Sequence, residues 1–182
     1  MVAPARTFEE IMLAEPDRFW EVHRGRLREK PSMSESHNRV IWRLVRDLSA
    51  QLEPDRFEVR VNMGRVRSGE TTYYIPDVYV VPILGPSTIR NRPYRLEVFD
   101  EPLPFVVEAR SLSTGNYDVD EKLPVYQGRG DKEIWRLHPY DILLTAWRRQ
   151  LDGTYLESRH SSGTIELIGL PGVVIDLDVI FA

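Results

Sequence analysis

The stretch Phe105-Val106-Val107-Glu108-Ala109-Arg110-Ser111 decides the fold. Its apolar start, rich in valine, is typical of a central strand that is buried on both faces. A carboxylate inside such a strand is costly unless it pairs with a cation or coordinates a metal ion. We therefore expect Glu108 to have a partner that another part of the chain supplies.

Length and composition narrow the class of protein. The chain has 182 residues, no cysteine and a net charge of −4. This length predicts one domain over residues 1–182, and the lack of cysteine excludes a disulfide framework and a thiolate metal site. The longest apolar run, 78–84, is too short to span a membrane, so we expect a cytoplasmic protein. The acidic net charge gives no electrostatic indication of nucleic-acid binding.

The first part of the chain predicts a short helix and a hairpin. Thr7 begins a capping-box pattern, which predicts a helix from there through Leu13. Residues 19–29 predict a hairpin that turns at Arg24-Gly25. Glu21 lies in the first strand of this hairpin, where residue type alone favours a carboxylate that faces solvent.

Residues 34–52 predict a long helix with Ser34 as its N-cap. The helix carries an apolar stripe at helical spacing, made of Val40, Ile41, Leu44, Val45, Leu48 and Leu52. His37 lies in the first turn, on or beside this stripe. The sequence leaves open whether His37 is a packed, hydrogen-bonded histidine or a site residue.

The remaining elements are strands with one further helix. Strands are predicted over 57–62, 65–67 and 73–81, and Pro76 marks a kink just before Asp77. A loop over 83–103 follows, and after the Glu108 strand come a turn at 111–116 and a helix over 118–127 that Pro124 should kink. Four segments then predict consecutive strands of a meander, before a closing apolar segment over 173–181: 133–137, 142–149, 154–158 and 164–168.

Asp77, Glu108 and Lys122 form a candidate catalytic set. Two carboxylates on neighbouring strands can hold Mg²⁺ or Mn²⁺ through oxygen. Such an ion polarises a phosphate ester and lowers the pKa of bound water, while a basic side chain steadies negative charge. The order Pro-Asp, a gap of about thirty residues, then Glu-x-basic is the pattern of the PD-(D/E)xK nucleases. Taken alone, this spacing is weak evidence because both short motifs are common.

The longer context resembles the Uma2 family of restriction-endonuclease-like proteins over nearly the whole chain. Pro76-Asp77-Val78 and the segment 107–114 resemble its two most characteristic motifs. The resemblance extends to the opening hairpin with Glu21, to Ser36-His37, to the spacing from Lys122 through Trp135, and to the closing segment. The chain departs from the family at Leu112 and at His138, and neither position is a proposed metal ligand.

The resemblance implies a mixed α/β sheet flanked by helices, with an added antiparallel meander. It also implies a Mg²⁺- or Mn²⁺-dependent endonuclease that acts on DNA, and a homodimer. Asp77 and Glu108 would be the metal ligands, and Glu21 and His37 would be a third ligand or orienting groups. An alternative is a catalytically idle module that binds DNA or protein, and hydrolysis of another phosphate ester stays open.

Two basic side chains are candidates for the positively charged group of the catalytic set. The resemblance places the working lysine on the helix, at Lys122. Arg110 lies two residues after Glu108 on the same side of the strand, but arginine stays protonated and can only pair with charge, such as that of a bound substrate. We also expect Asp77 and Glu108 to repel each other, which would raise the pKa of one of them without a metal ion.

Overall fold

The structure is a computed structural model, and it describes residues 5–83, 95–110 and 118–182. The predicted turn at 111–116 and most of the loop that begins at residue 83 lie outside these ranges. No helix in the described ranges is long and apolar enough to cross a membrane.

Four α-helices and one π-helix are present in the described ranges. They are α1 (Ala5–Ala14), α2 (Glu35–Gln51), the π-helix (Asp118–Lys122), α3 (Leu123–Arg129) and α4 (Leu177–Phe181). The strands of the first half are β1 (Trp20–His23), β2 (Arg26–Glu29), β3 (Phe57–Val61), β4 (Arg65–Ser68), β5 (Thr72–Tyr74) and β6 (Val78–Pro82). Those of the second half are β7 (Val98–Phe99), β8 (Phe105–Ala109), β9 (Glu133–His138), β10 (Leu143–Arg149), β11 (Tyr155–His160), β12 (Thr164–Glu166) and β13 (Val174–Asp176).

The described strands form three sheets. The largest has the order β11-β10-β9-β8-β6-β3, and the second has the order β2-β1-β5-β4-β7. β12 and β13 form a separate pair. In the largest sheet β8 runs parallel to β9 and antiparallel to β6, so the sheet is mixed, as the sequence predicts. β8 lies inside this sheet, and all five of its residues are buried.

Helix α2 covers one face of the six-stranded sheet. Ser34 caps it by accepting a hydrogen bond from the backbone N–H of His37, which confirms the predicted start. The predicted apolar stripe packs in one cluster with residues of β6, β8 and β9, and Val40, Ile41, Leu44 and Leu48 are fully buried. This packing fixes the first turn of α2, and with it His37, against the sheet.

The strand predicted over 73–81 is wrong as a single element. The chain leaves β5 at Tyr74 and enters β6 at Val78, and these strands belong to different sheets. Pro76 has no N–H for a sheet ladder, so the break falls where the proline stands. As a result Asp77 lies at the crossing between the two sheets.

Three other predictions also need correction. Helix α1 begins by Ala5, so Thr7 lies inside it and is not its cap. The predicted loop over 83–103 contains β7, which pairs with β4. The last strand of the predicted meander, β12, pairs with β13 instead of β11, while β9, β10 and β11 are antiparallel neighbours as expected.

The helix predicted over 118–127 begins as a π-helix and continues as α3. Pro124 is the second residue of α3, directly after the π-helix, and it has no N–H to donate to the preceding helical turn. At the place where Pro124 predicts a kink, the structure changes from a π-helix to an α-helix. Gly130 ends α3 with a φ of 83°, a left-handed conformation that favours glycine.

Candidate active site

The pairing of β6 with β8 brings Asp77 and Glu108 together. Val78 is opposite Val107 in this antiparallel pair, so the next positions outward are Asp77 and Glu108. Both residues are almost completely buried, with 2% and 3% of their surface exposed. Buried carboxylates need compensating partners, and the structure provides them from four other elements.

Asp77 is held through both carboxylate oxygens. Its Oδ2 lies 2.8 Å from His37 Nε2 and accepts a hydrogen bond of 2.7 Å from the Ala109 N–H. Its Oδ1 lies 2.7 Å from Lys30 Nζ. The break in the strand at Pro76 thus places the Asp77 carboxylate against the first turn of α2.

Burial and nearby positive charge act in opposite directions on the pKa of Asp77. Burial raises the pKa of Asp77, but the positive charge of Lys30 and the hydrogen bond from His37 outweigh burial and hold that pKa well below its usual range. Of Asp77 and Glu108, one of which repulsion was expected to give a raised pKa, Asp77 is therefore not the one. The reason is a cation that the sequence analysis missed.

That cation, Lys30, directly follows β2. Its ammonium contacts Asp77 and donates to Asn62 Oδ1 at 2.8 Å and to the Ile75 carbonyl at 2.7 Å. A lysine at the end of an exposed edge hairpin looks like a surface residue by sequence. The only available signal was scarcity, because the chain has three lysines, at 30, 122 and 132.

Glu108 is held by Lys122 and Tyr126. Its Oε1 lies 3.1 Å from Lys122 Nζ and accepts a 2.5 Å hydrogen bond from the Tyr126 hydroxyl. Lys122 Nζ also lies 2.9 Å from Glu21 Oε1, which accepts from the Ile75 N–H as well. Lys122 therefore bridges two buried carboxylates from different sheets, and Glu21 does not face solvent.

An aromatic ring also lies against Lys122. The ammonium lies 5.5 Å from the centre of the Tyr74 ring, within range of a cation–π interaction. The Tyr74 hydroxyl contacts His23 Nδ1, and His23 Nε2 pairs with the Glu121 carboxylate. Tyr74 thus links Lys122 to His23 and Glu121.

Arg110 does not join this group in the described contacts. Its guanidinium contacts His138 Nε2, and its Nε has no hydrogen-bond partner among the described residues. Burial lowers the pKa of His138, and the charge of the neighbouring Arg110 acts in the same direction. A role for Arg110 in substrate binding stays a prediction.

The donor chemistry fits a hard divalent cation, since Glu21, Asp77 and Glu108 offer carboxylate oxygens in one buried region. In the described conformation, however, lysine ammonium groups contact oxygens of all three. Over residues 5–83, 95–110 and 118–182, no group of three or more His, Asp or Glu side chains is arranged to hold a metal ion. Metal binding at this place would therefore require a lysine to move away.

Comparison with known proteins identifies the family. The model of the Uma2 family, described as "Putative restriction endonuclease", matches residues 5–179. The chain belongs to the Uma2 family. A solved structure described as "a putative nuclease belonging to DUF820 from Anabaena variabilis" is similar to this Uma2 chain, with a TM-score of 0.68 and 15% identity over 89% of each chain. At this identity the likeness shows the shared fold. No curated protein matches the sequence.

Proposed function

We propose that this Uma2 protein is a metal-dependent nuclease that hydrolyses phosphodiester bonds of DNA. The observation that carries the proposal is the group of three buried carboxylates, Glu21, Asp77 and Glu108, with Lys122 between two of them. A chain that needed only a stable core would gain little from burying so many charges, because desolvation is costly. The description of the family supports the same class of reaction.

Asp77 and Glu108 would hold the divalent ion, with Glu21 as the nearest further carboxylate. When bound, the ion would polarise the phosphate and lower the pKa of a water molecule. The protein's own part is to keep these carboxylates in fixed orientations. His37 and the Ala109 N–H do this for Asp77, and Tyr126 does it for Glu108.

Lys122 would stabilise negative charge on the reacting phosphate. Its ammonium, which lies between Glu21 and Glu108, would supply a fixed positive charge beside that phosphate. Arg110, at the end of β8, would contact a phosphate of the DNA beside the cleaved bond. The homodimer implied by the family resemblance and the cytoplasmic location expected from the sequence are part of this proposal, and gel filtration tests the homodimer.

A second candidate is a module that keeps the nuclease fold but only binds DNA or protein. The observation in its favour is that lysine already satisfies the carboxylates in the described conformation. In such a module these ion pairs would be structural and divalent ions would not bind.

Nicking of supercoiled plasmid in Mg²⁺ or Mn²⁺, compared with the same reaction in chelator, tests the proposal. We expect metal-dependent nicking by the wild type and none by Glu108→Gln. Glu53→Gln is the matched control because Glu53 is exposed and pairs only with the exposed Arg56 in the described contacts. An inactive wild type on supercoiled, linear and branched DNA, with no metal-induced rise in melting temperature, would favour the binding module.

A further inference from the structure

The Lys30 ammonium contacts the carboxylate of Asp77, a proposed metal ligand. It therefore lies where a bound divalent ion would be expected. We infer that Lys30 is a built-in counter-cation that competes with the divalent ion for Asp77 and so sets how much metal the site requires. This inference rests on the proposed metal-dependent function. It assigns a role to a residue that neither the motif pattern nor the family resemblance singled out.

The surroundings of Lys30 are shaped to hold an ammonium group. A lysine ammonium has three N–H donors, and three oxygens surround this one: Asp77 Oδ1 at 2.7 Å, the Ile75 carbonyl at 2.7 Å and Asn62 Oδ1 at 2.8 Å. Only 6% of the Lys30 side chain is exposed. Three oxygen atoms thus enclose the ammonium, and two of them accept hydrogen bonds from it.

Asn62 is positioned for this contact by its backbone. Its φ of 49° lies in the left-handed region, which asparagine adopts more readily than most residues. Its N–H donates to the Asp77 carbonyl, which ties the turn after β3 to the segment before β6. The same turn therefore fixes both the ammonium's acceptor and the backbone of the proposed metal ligand.

Lys30 and Lys122 divide the carboxylates between them. Among the described ion pairs, the only carboxylate that Lys30 contacts is that of Asp77, whereas Lys122 contacts Glu21 and Glu108. A change at Lys30 therefore alters the charge at one proposed ligand and leaves the contacts of Lys122 in place. This separation makes the inference testable apart from the catalytic set.

Two consequences follow from simple electrostatics. Without metal, Lys30 stabilises the folded protein because it neutralises a buried carboxylate. With metal, Lys30 opposes binding because the ion and the ammonium are like charges on one carboxylate. Removing the charge should therefore weaken the metal-free fold and strengthen metal binding, a pair of effects that a merely structural lysine would not produce.

The test is titration calorimetry with Mn²⁺ on the full chain, together with melting temperatures in chelator and in saturating Mn²⁺. We expect Lys30→Met to bind Mn²⁺ at least tenfold more tightly than the wild type. Its melting temperature should be lower in chelator and should rise with Mn²⁺ by more than that of the wild type. Lys132→Met is the matched control, because Lys132 is exposed, and it should behave as the wild type.

Lys30→Gln covers the case in which the methionine variant does not fold without metal. Glutamine is neutral but keeps an N–H donor for Asp77, so we expect the same tightening of Mn²⁺ binding. If the wild type binds Mn²⁺ and the neutral variants bind it equally or more weakly, the role of Lys30 is overturned and the proposed function stands. If neither the wild type nor the variants bind Mn²⁺, both are overturned.

Discussion

Lys122 Nζ lies 2.9 Å from Glu21 Oε1, although Glu21 is on β1 of the five-stranded sheet and Lys122 ends the π-helix that follows β8. The same ammonium reaches Glu108 on the six-stranded sheet. One side chain thus joins the opening hairpin to the central strand. The candidate site is therefore built across two sheets.

In Lys122→Met, the buried carboxylates of Glu21 and Glu108 should both lose the ammonium with which they pair. Breaking one side of a buried ion pair costs about 3–5 kcal/mol, so we expect a loss of this size in the free energy of unfolding, measured by urea denaturation in chelator. DNA nicking should also be lost. Lys132→Met serves as control, and an unchanged stability of Lys122→Met would show that the bridge is not energetically important.

Tyr126→Phe should loosen Glu108 without changing the charge of the site. The hydroxyl donates a 2.5 Å hydrogen bond to a carboxylate, and such bonds contribute about 1.5–3 kcal/mol to stability. Removing a group that orients a metal ligand typically lowers metal affinity or activity by about 10–100-fold, and we expect a loss in this range for Mn²⁺ affinity.

The control for Tyr126→Phe is Tyr140→Phe, since Tyr140 is exposed and its hydroxyl contacts only the Oγ of the half-buried Ser34 in the described contacts. This variant should match the wild type in Mn²⁺ affinity. Equal affinities for all three proteins would mean that Tyr126 does not orient Glu108 for metal.

The lowered pKa of Asp77 predicts that the folded protein loses stability in acid. Its pKa is lowered in the folded protein, so its contribution is fully present above the unfolded-state pKa of about 3.9 and is lost as pH falls below that value. In chelator at pH 7, Asp77→Asn should be less stable than the wild type by about 3–5 kcal/mol, because Lys30 loses its charge partner.

The check is the difference in unfolding free energy between wild type and Asp77→Asn, measured from pH 7 to pH 3. The difference should hold steady down to about pH 4 and then shrink, because Asp77 takes up a proton in the unfolded chain at a higher pH than in the folded protein. A difference that stays constant to pH 3 would show that the ionised form of Asp77 does not stabilise the fold.

Gly169→Ala should strongly destabilise the fold for a reason unrelated to the candidate site. A Cβ at Gly169 would lie 1.8 Å from the Pro104 carbonyl oxygen, which is backbone and cannot rotate away. We expect a loss of more than about 3 kcal/mol, above the usual cost of overpacking. Gly128→Ala, with nothing within 4 Å of the added Cβ and no left-handed backbone, separates this clash from the loss of glycine itself.

Local pattern was enough to predict the elements that hold most of the candidate site. The apolar run around Glu108 identified a buried strand, and the stripe of α2 placed His37 at the sheet. Pro76 signalled the irregular backbone at Asp77. These signals work because burial and proline geometry act over a few neighbouring residues.

Features that depend on contacts between residues far apart in the chain could not be predicted from local sequence patterns. Nothing local shows that Ile75, Pro76 and Asp77 cross between two sheets, or that β12 leaves the meander to pair with β13. The burial of Glu21 and Lys30 depends on β1 pairing with β5 and on the turn at Asn62. Residue type favoured solvent exposure for both, and tertiary packing overrode it.

The most direct test of metal binding at Asp77 and Glu108 is an anomalous difference map from a crystal grown with Mn²⁺. If Asp77 and Glu108 hold the ion, the map will show a peak that contacts both carboxylates, with the Lys122 ammonium moved away from Glu108. A map without such a peak, with Lys122 still bridging Glu21 and Glu108 at saturating Mn²⁺, would contradict the metal-dependent nuclease.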